Sequence, residues 1–209
     1  MEIITLPVGQ LRANSYLVFD SRSRDCLIID PGDDADYIQR KISDNQLIPG
    51  QIVATHGHFD HIMAVLELKL AFEIPFKINS KDQFLVTNMS SSARHFIGID
   101  PGPVPPIDGG IKNKDTVRIG KSKLTVIATP GHTPGSVCLY NQEESVLFTG
   151  DTLFADSGIG RTDFSYSNHQ LILDSLKNIF SLPAKTIIYP GHGRSSTLKE
   201  EKSYHLPYE

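Results

Sequence analysis

The stretch Thr55-His56-Gly57-His58-Phe59-Asp60-His61 decides how the rest of the chain is interpreted. Three imidazoles and a carboxylate so close together make poor core material, because each group must be hydrogen-bonded or charged to tolerate burial. Nitrogen and oxygen donors at this density are typical of a metal site. The alternative, a polar loop that is merely rich in histidine, is disfavoured by the density of the pattern.

The residues on either side of this stretch predict a corner at which ligands converge. Ile52-Val53-Ala54 is typical of a short buried strand, and residues 62–70 are typical of a helix. Because alternate residues of an extended segment face the same way, His56 and His58 can approach one ion. Asp60-His61, at the start of the helix, can turn toward a second ion. The stretch alone does not choose the metal.

The bulk properties predict a single folded domain over residues 1–209. The length, the hydrophobic fraction of 39% and the charged fraction of 21% are ordinary for one globular unit with a substantial core. The net charge of −4, without a block of Lys or Arg, argues against a nucleic-acid partner. No export signal and no apolar run of bilayer length is recognisable, so we expect a cytoplasmic protein with no membrane partner. Cys26 and Cys138 lie in apolar runs and are interpreted as buried small hydrophobes.

The order of elements predicts an α/β protein in which strands and helices alternate after an initial antiparallel meander. Pro49-Gly50 is expected to form a break in regular structure before the strand that leads to His56. Residues 99–110 are expected to be an irregular surface excursion. The tail, 198–209, predicts a short helix followed by a loose end. The predicted strands are 3–8, 15–19, 26–29, 52–54, 75–78, 116–119, 124–128, 136–140, 145–148 and 186–189, and the predicted helices are 34–43, 62–70, 81–92 and 169–180.

A repeated pattern links the histidine stretch to three distant parts of the chain. Apolar strands run into Gly131-His132, Gly150-Asp151 and Gly191-His192, as the strand at Ile52 runs toward His56. Glycine at these points lets the backbone turn or approach a neighbour closely. If the strand ends lie at one edge, the side chains that follow them meet there.

The pattern yields more candidate ligands than one open metal site uses. A catalytic metal takes three or four protein ligands and leaves a position for water, so the set suits two ions that share a carboxylate. Asp151 is the best candidate for the shared ligand, because it is the acid that arrives from its own strand. We expect His95, His169 and His205 to be surface or capping residues. The candidate ligands are His56, His58, Asp60, His61, His132, Asp151 and His192.

In these motifs the sequence resembles the metallo-β-lactamase superfamily, and within it the glyoxalase II-like branch. The resemblance extends in order from the histidine stretch through Gly131-His132, residues 150–154 and residues 160–163 to residues 190–193. It implies a four-layer αββα sandwich of two mixed β-sheets with the helices outside. It also implies that His56, His58 and His132 hold the first metal, that Asp60, His61 and His192 hold the second, and that Asp151 bridges them.

The resemblance implies a hydrolase that carries two divalent cations, usually Zn²⁺ in relatives, although iron and manganese also occur there. Two such cations lower the pKa of a shared water and polarise a carbonyl, so no serine or cysteine nucleophile is needed. A thiolate is a good leaving group, since thiol pKa values lie near 8.5, and thioester hydrolysis therefore suits the site. Asp60 and Asp151 are the candidate catalytic residues. We expect Thr55 and Thr133 to fix imidazole tautomers beside the metals.

The substrate is expected to be a small-molecule thioester such as S-lactoylglutathione or a related acyl-thiol. Glyoxalase II itself continues into a C-terminal helical domain that grips glutathione, and because only residues 193–209 remain here after the last candidate ligand, we expect no such domain. Arg161 is a candidate for binding a substrate carboxylate in its place, because its planar fork matches that group. The alternative is that Arg161 forms a structural ion pair with Asp163 or Asp156.

Other functions compete with thioester hydrolysis. A persulfide dioxygenase shares the run from Gly160 to Phe164 and would hold one iron on His56, His132 and Asp151; the setting Gly191-His192-Gly193 disfavours it. A β-lactamase is disfavoured because no export signal is recognisable. A non-catalytic metal-binding module is disfavoured because it would be expected to close its coordination sphere. The sequence does not predict the acyl group, the thiol carrier, the resident metal or the oligomeric state.

Overall fold

Two six-stranded β-sheets face one another in the computed structural model, which describes residues 1–205. Helices cover the outer face of each sheet, so the predicted four-layer αββα arrangement is confirmed. The tail beyond His205 lies outside the described residues, and only the helical part of its prediction can be compared with the structure.

The first sheet is built from the first half of the chain and its strands lie in chain order. Its first three strands form the predicted antiparallel meander, and the next three run parallel to the third strand and to one another. Parallel additions require crossover connections, which the intervening helices supply. The strands are β1 (Glu2–Val8), β2 (Ala13–Phe19), β3 (Asp25–Ile29), β4 (Ile48–Val53), β5 (Phe76–Ile78) and β6 (Gly109–Gly110).

The second sheet is built from the second half of the chain. Four antiparallel strands are followed by one that pairs in parallel with the fourth, and a short strand then closes the edge. The strands are β7 (Thr116–Ile119), β8 (Ser122–Ala128), β9 (Val137–Asn141), β10 (Val146–Gly150), β11 (Ile187–Pro190) and β12 (Ser196–Thr197).

The helices lie between strands and cover the sheets from outside. They are α1 (Ala35–Asp44), α2 (Val65–Phe72), α3 (Gln83–Thr87), α4 (Met89–Ile97), α5 (His169–Phe180) and α6 (Leu198–His205). Short 3-10 helices span Phe59–His61 and Ser80–Asp82. None of the helices within residues 1–205 has the length and apolar character needed to cross a bilayer.

Alternation along the strands creates three layers of buried side chains. In β2, Leu17 packs toward the helices on the first sheet, whereas Val18 packs toward the second sheet. In β9, Leu139 packs toward the first sheet, whereas Cys138 packs toward α5. This period of two is what a strand buried on both faces requires. Cys26 and Cys138 are both buried and free, as predicted, and burial raises the pKa of Cys138 to about 11.

Several predicted boundaries differ from the structure for local reasons. The helix predicted over 62–70 begins only at Val65, because the chain first forms the 3-10 helix and Ile62 leaves the helical region at φ −138°. The helix predicted over 81–92 is two helices that meet at Asn88. Pro49-Gly50 lies inside β4, where a register shift against β3 accommodates the missing N–H of proline. The excursion over 99–110 ends in the short strand β6.

Candidate metal centre

Four strand ends meet at one rim of the sandwich and bring the predicted side chains together. The loop after β4 carries four of them, and the loops after β8, β10 and β11 carry one each. The rim is built from both sheets, since β4 belongs to the first and the other three strands belong to the second. The side chains brought together are those of His56, His58, Asp60, His61, His132, Asp151 and His192.

Glycine is required at two of these loops because a neighbour occupies the place of a side chain. Gly131 has φ +144°, and a Cβ atom there would lie 2.3 Å from the backbone nitrogen of Ile172 in α5. A Cβ at Gly191 would lie 2.1 Å from Oδ1 of Asp151. The glycine before His132 therefore lets α5 pack against the loop, and the glycine before His192 makes room for the Asp151 carboxylate.

Three histidines form the first half of the cluster. Nδ1 of His58 lies 2.9 Å from Nε2 of His132, and Oδ2 of Asp151 lies 3.6 Å from the same His132 nitrogen. Nε2 of His56 lies 4.0 Å from Oδ2 of Asp151. One donor atom from each of these four residues lies within 4.8 Å of all the others, so one ion could be surrounded by them.

Asp60, His61 and His192 form the second half of the cluster. Oδ2 of Asp60 lies 3.3 Å from Nε2 of His192 and 3.7 Å from Nε2 of His61. The two histidine nitrogens are 3.3 Å apart. Asp151 reaches this half as well, since its Oδ1 lies 3.4 Å from Nε2 of His61. The Asp151 carboxylate therefore lies between the two halves.

The donors fit divalent cations on two grounds. Nε2 of His56 and Oδ1 of Asp151 are buried and have no hydrogen-bond partner among residues 1–205, although buried polar atoms are normally paired. Imidazole nitrogen and carboxylate oxygen are also the ligand types that zinc and the neighbouring transition metals prefer. Both orphaned atoms point into the cluster, where a cation would satisfy them.

The buried carboxylate of Asp30 holds one histidine of each half from behind. It lies 3.2 Å from Nδ1 of His61 and accepts the hydroxyl of Thr55 at 2.6 Å. The same hydroxyl oxygen lies 3.1 Å from Nδ1 of His56, so it accepts the ring N–H. The prediction that Thr55 orients a histidine agrees with this contact. Asp30 is not among the predicted site residues, because it follows β3 and meets the histidine loop only when β3 and β4 pair in the fold.

The remaining histidines are held by partners that no sequence motif indicates. Nδ1 of His132 lies 2.8 Å from the backbone oxygen of Arg161, and Nδ1 of His192 lies 3.2 Å from that of Leu11. Nε2 of His58 lies 2.9 Å from the hydroxyl of Tyr166. Each candidate histidine thus keeps one ring nitrogen engaged and presents the other to the cluster, which is the arrangement of metal-bound histidines.

A second buried carboxylate, that of Asp82, joins two of the loops. It accepts the N–H of Gly57 at 3.0 Å and that of Gly135 at 2.6 Å. It also accepts the hydroxyl of Thr133 at 2.6 Å, so the expectation that Thr133 fixes a histidine is wrong. Burial raises the pKa of Asp82 although these donors act in the opposite direction. Asp82 fixes the distance between the loop of His58 and the loop of His132.

The two halves of the cluster differ in charge. Burial and the neighbouring His132 lower the pKa of His58 to about 3, and burial lowers that of His56 well below its usual range. At His61, burial is outweighed by Asp151 and Asp60, which raise the pKa to about 10. Burial of Asp60 is likewise outweighed by His61 and His192, which lower its pKa. His56 and His58 of the first half are therefore neutral imidazoles, whereas the second half contains an ionised carboxylate, that of Asp60.

A cavity of about 460 Å³ opens directly above the cluster. This volume lies in the range of small-molecule sites. Its walls combine candidate ligands with aromatic and aliphatic side chains, and Arg161 stands at its edge. The lining residues outside the candidate ligand set are Leu11, Gly57, Phe59, Leu85, Ser92, Phe96, Phe154, Ile159, Gly160, Arg161, Phe164 and Tyr166.

Arg161 lies at the predicted position near the cluster, but its guanidinium is paired. Its Nε and Nη2 atoms donate to the two oxygens of Asp163 at 3.0 and 2.7 Å. Asp156 pairs instead with Arg194. His95, His169 and His205 lie outside the cluster.

Comparison with known proteins agrees with this geometry. The sequence pattern of the metallo-beta-lactamase superfamily matches residues 8–192. The chain is 32% identical to the probable metallo-hydrolase YqgX of Bacillus subtilis, over 94% of this chain and 92% of that protein. It is 31% identical to the hydroxyacylglutathione hydrolase GloC of Haemophilus influenzae, over 97% of this chain and 95% of that protein.

Solved structures give the same result. The fold is similar to that of BLEG-1, a B3 metallo-beta-lactamase, with a TM-score of 0.89 and 35% identity over 99% of this chain and 98% of the other. TTHA1623 in a di-iron-bound form has a TM-score of 0.86 and 32% identity, with 98% of each chain covered. ETHE1 from Myxococcus xanthus has a TM-score of 0.80 and 27% identity, over 99% of this chain and 84% of the other. With the His/Asp cluster at the expected rim, the chain belongs to the metallo-beta-lactamase superfamily.

Proposed function

We propose that the protein is a hydrolase that holds two divalent cations and cleaves thioesters, such as S-lactoylglutathione or related acyl-thiols. The observation that carries the proposal is the double cluster at the floor of the cavity, with the Asp151 carboxylate within 4.0 Å of histidine nitrogens from both halves. One open catalytic site uses fewer donors than this cluster supplies.

In the proposed assignment, His56, His58 and His132 hold one cation and Asp60, His61 and His192 hold the other. Asp151 is the shared ligand, and with Asp60 it is the candidate catalytic carboxylate. The donor set suits zinc, iron or manganese. The di-iron form of the similar protein TTHA1623 supports a pair of metals in this fold.

Two bound cations supply a strong nucleophile from water at neutral pH and polarise the carbonyl under attack. The chain contributes the alignment. Asp30 and Thr55 hold one histidine of each half, and the Asp151 carboxylate spans both, so the two positions are fixed relative to each other. The floor of the cavity is formed by the candidate ligands His58, Asp60, His132, Asp151 and His192, so the attacked carbonyl is placed directly over the cluster.

Thioester cleavage suits the groups that line the cavity. The oxygen of water bonds to the acyl carbon and the carbon–sulfur bond breaks, which releases a carboxylate and a thiol. Because a thiolate leaves without prior protonation, no strong general acid is needed beside the sulfur. The phenol among the described lining residues is that of Tyr166. Burial raises its pKa to about 12, so it is not a strong acid. The similarity to the hydroxyacylglutathione hydrolase GloC also supports this reaction.

A second candidate reaction rests on the run from Gly160 to Phe164. It resembles the corresponding run of persulfide dioxygenases, which would use one iron on His56, His132 and Asp151. The grouping of Asp60, His61 and His192 around a second position supports hydrolysis, since these donors can hold a second cation.

The test is to purify the protein without chelator, measure metal per chain, and assay thioesters with thiol release and oxygen uptake recorded together. S-lactoylglutathione, glutathione persulfide and a chromogenic β-lactam are assayed side by side. Two metals per chain with thiol release and no oxygen uptake supports the proposal. One iron per chain with oxygen consumed on glutathione persulfide would overturn it, as would turnover of the β-lactam alone.

A further inference from the structure

The walls of the cavity above the metal cluster are mainly apolar. Once the candidate ligands are set aside, Arg161 is the one charged side chain among the described residues that line it. Leu11 and Phe96 project into this space while 45% and 52% exposed, although large apolar side chains are normally buried. Exposed apolar side chains gathered at a cleft mark a place where an apolar ligand group is bound.

Aromatic rings form two of these walls. Phe164 and Tyr166 stack with centroids 5.2 Å apart and an interplanar angle of 11°. Phe59 and Phe96 are also parallel, at 6.0 Å and 6°. Flat, paired rings present wide apolar surfaces that suit another ring or a branched alkyl group.

The one cation at the edge of the cavity is neutralised by its neighbour. Arg161 donates both arms of its fork to Asp163, and its guanidinium carbon lies 4.6 Å from the centroid of Phe164. A substrate carboxylate that approaches Arg161 must compete with Asp163 for the same donors and meets its negative charge. The edge of the cavity therefore offers an anion little net attraction, although Arg161 stands there.

We propose that the cavity selects thioesters whose acyl group is apolar, aromatic above all, and whose thiol carrier is uncharged, over the small hydroxyacyl group and anionic carrier of S-lactoylglutathione. The inference rests on the proposed thioester hydrolysis and names its substrate class. The acyl group packs between the Phe164–Tyr166 and Phe59–Phe96 pairs, and Asp163 sets the preference for the carrier by cancelling the charge of Arg161.

Four substrates separate the two parts of this preference. Lactoyl and phenylacetyl groups are each attached to glutathione and to N-acetylcysteamine, and kcat/KM is measured by thiol release with protein of known metal content. We expect phenylacetyl to exceed lactoyl by about tenfold on either carrier. Highest kcat/KM with S-lactoylglutathione would overturn the inference while thioester hydrolysis stands. No turnover of any of the four by protein that holds two metals would overturn both.

A substitution of Asp163 tests the carrier preference by a gain of activity. Asp163→Asn frees the guanidinium of Arg161, so we expect kcat/KM for the glutathione thioesters to rise about two- to fivefold relative to the N-acetylcysteamine thioesters, as removal of an exposed charge allows. Added salt should reduce the gain, because the groups are 62% and 63% exposed. An unchanged ratio at low salt would overturn the role of Asp163.

Substitutions of the exposed apolar side chains that line the cavity test the preference for the acyl group. Phe96→Ala and, separately, Leu11→Ala should lower the phenylacetyl to lactoyl ratio of kcat/KM about three- to tenfold without loss of bound metal. Tyr204→Ala is the matched control, because Tyr204 is also an exposed aromatic, at 58%, but lies in α6 and outside the cavity lining. Equal ratios in Phe96→Ala, Leu11→Ala and the control would overturn the proposed role of the walls.

Discussion

The two halves of the metal cluster are built to different degrees of enclosure. In the first half, His56 and His132 have side chains only 1% and 4% exposed, and Asp82 joins the two loops that carry its histidines. In the second half, His192 is 29% exposed and its far nitrogen is held by the backbone of Leu11 at the surface. Both halves contribute to the cavity floor, but the second half includes the most exposed of the candidate histidines, His192.

Asp151 is the point at which the two halves are joined, and its removal should have the largest effect. We expect Asp151→Ala to lower the affinity for both ions, by at least about 100-fold each, and to cost more activity than any single histidine change. Metal content after dialysis and kcat/KM for a thioester measure this. Asp174→Ala, an exposed carboxylate paired with Lys177 on α5, is the control. A loss equal to or milder than that of a histidine variant would remove the bridging role.

Removal of His192 should separate the two halves. Because His192 belongs to the more exposed half, His192→Ala should lose one ion on dialysis and keep the other. His132→Ala should instead weaken the ion of the first half. The ion that stays bound in His132→Ala should be held less tightly than the ion that stays bound in His192→Ala. The measurement is the number of metal ions per chain, obtained by mass spectrometry. His95→Ala, at a histidine outside the cluster, is the control. Loss of both ions from His192→Ala would show that the halves do not bind independently.

Asp30 and Asp82, which hold the candidate ligands or their loops from behind, test the same difference between the two halves. Asp30 supports a histidine of each half, so Asp30→Asn should weaken both ions about 10- to 100-fold, as is usual for groups that orient metal ligands. The amide keeps the shape and tolerates the left-handed backbone at φ +49°. Asp82→Asn should weaken the ion of the first half more than that of the second, because Asp82 accepts from Gly57, which lies between His56 and His58, and from Gly135, which follows His132. Competition with a chromogenic chelator resolves the two ions, and equal effects of both variants would contradict this division.

The hydroxyl of Tyr166 should have the smallest effect of the set. Tyr166→Phe removes a single hydrogen bond to His58 and keeps the ring that stacks on Phe164. A net value of about 1 kcal/mol for such a bond corresponds to less than about tenfold in affinity for the first ion. The same chelator competition measures it, with Tyr204→Phe as control. A change at the second ion and none at the first would contradict the assignment of His58.

The sequence predicted the fold class and the convergence of strand ends because both follow from local patterns. The apolar runs before Gly131 and Gly191 indicate strands, and the residue after each glycine is then placed at a strand end. Helix α5 begins and ends where its apolar spacing predicts. These features depend on neighbours in the chain, so a single sequence is sufficient to find them.

The groups behind the ligands could not be predicted, because they are defined by distant contacts. Asp30 reaches a residue 31 positions away, and Tyr166 reaches one 108 positions away. Thr133 shows the limit clearly, since it stands next to a candidate ligand in the chain but binds Asp82. Arg161 had two predicted roles, and the choice between them depended on where the side chain of Asp163 lies.

The space that Gly191 leaves for Asp151 has a consequence for the redesign of this protein. Even alanine at position 191 would place a methyl group 2.1 Å from Oδ1 of Asp151, so we expect Gly191→Ala to displace this carboxylate. A mutant library aimed at new substrates should therefore hold this glycine constant and vary the side chains of Leu11 and Phe96, which line the cavity and are not candidate metal ligands. The active variants of such a library would show which substrates the same metal centre can hydrolyse.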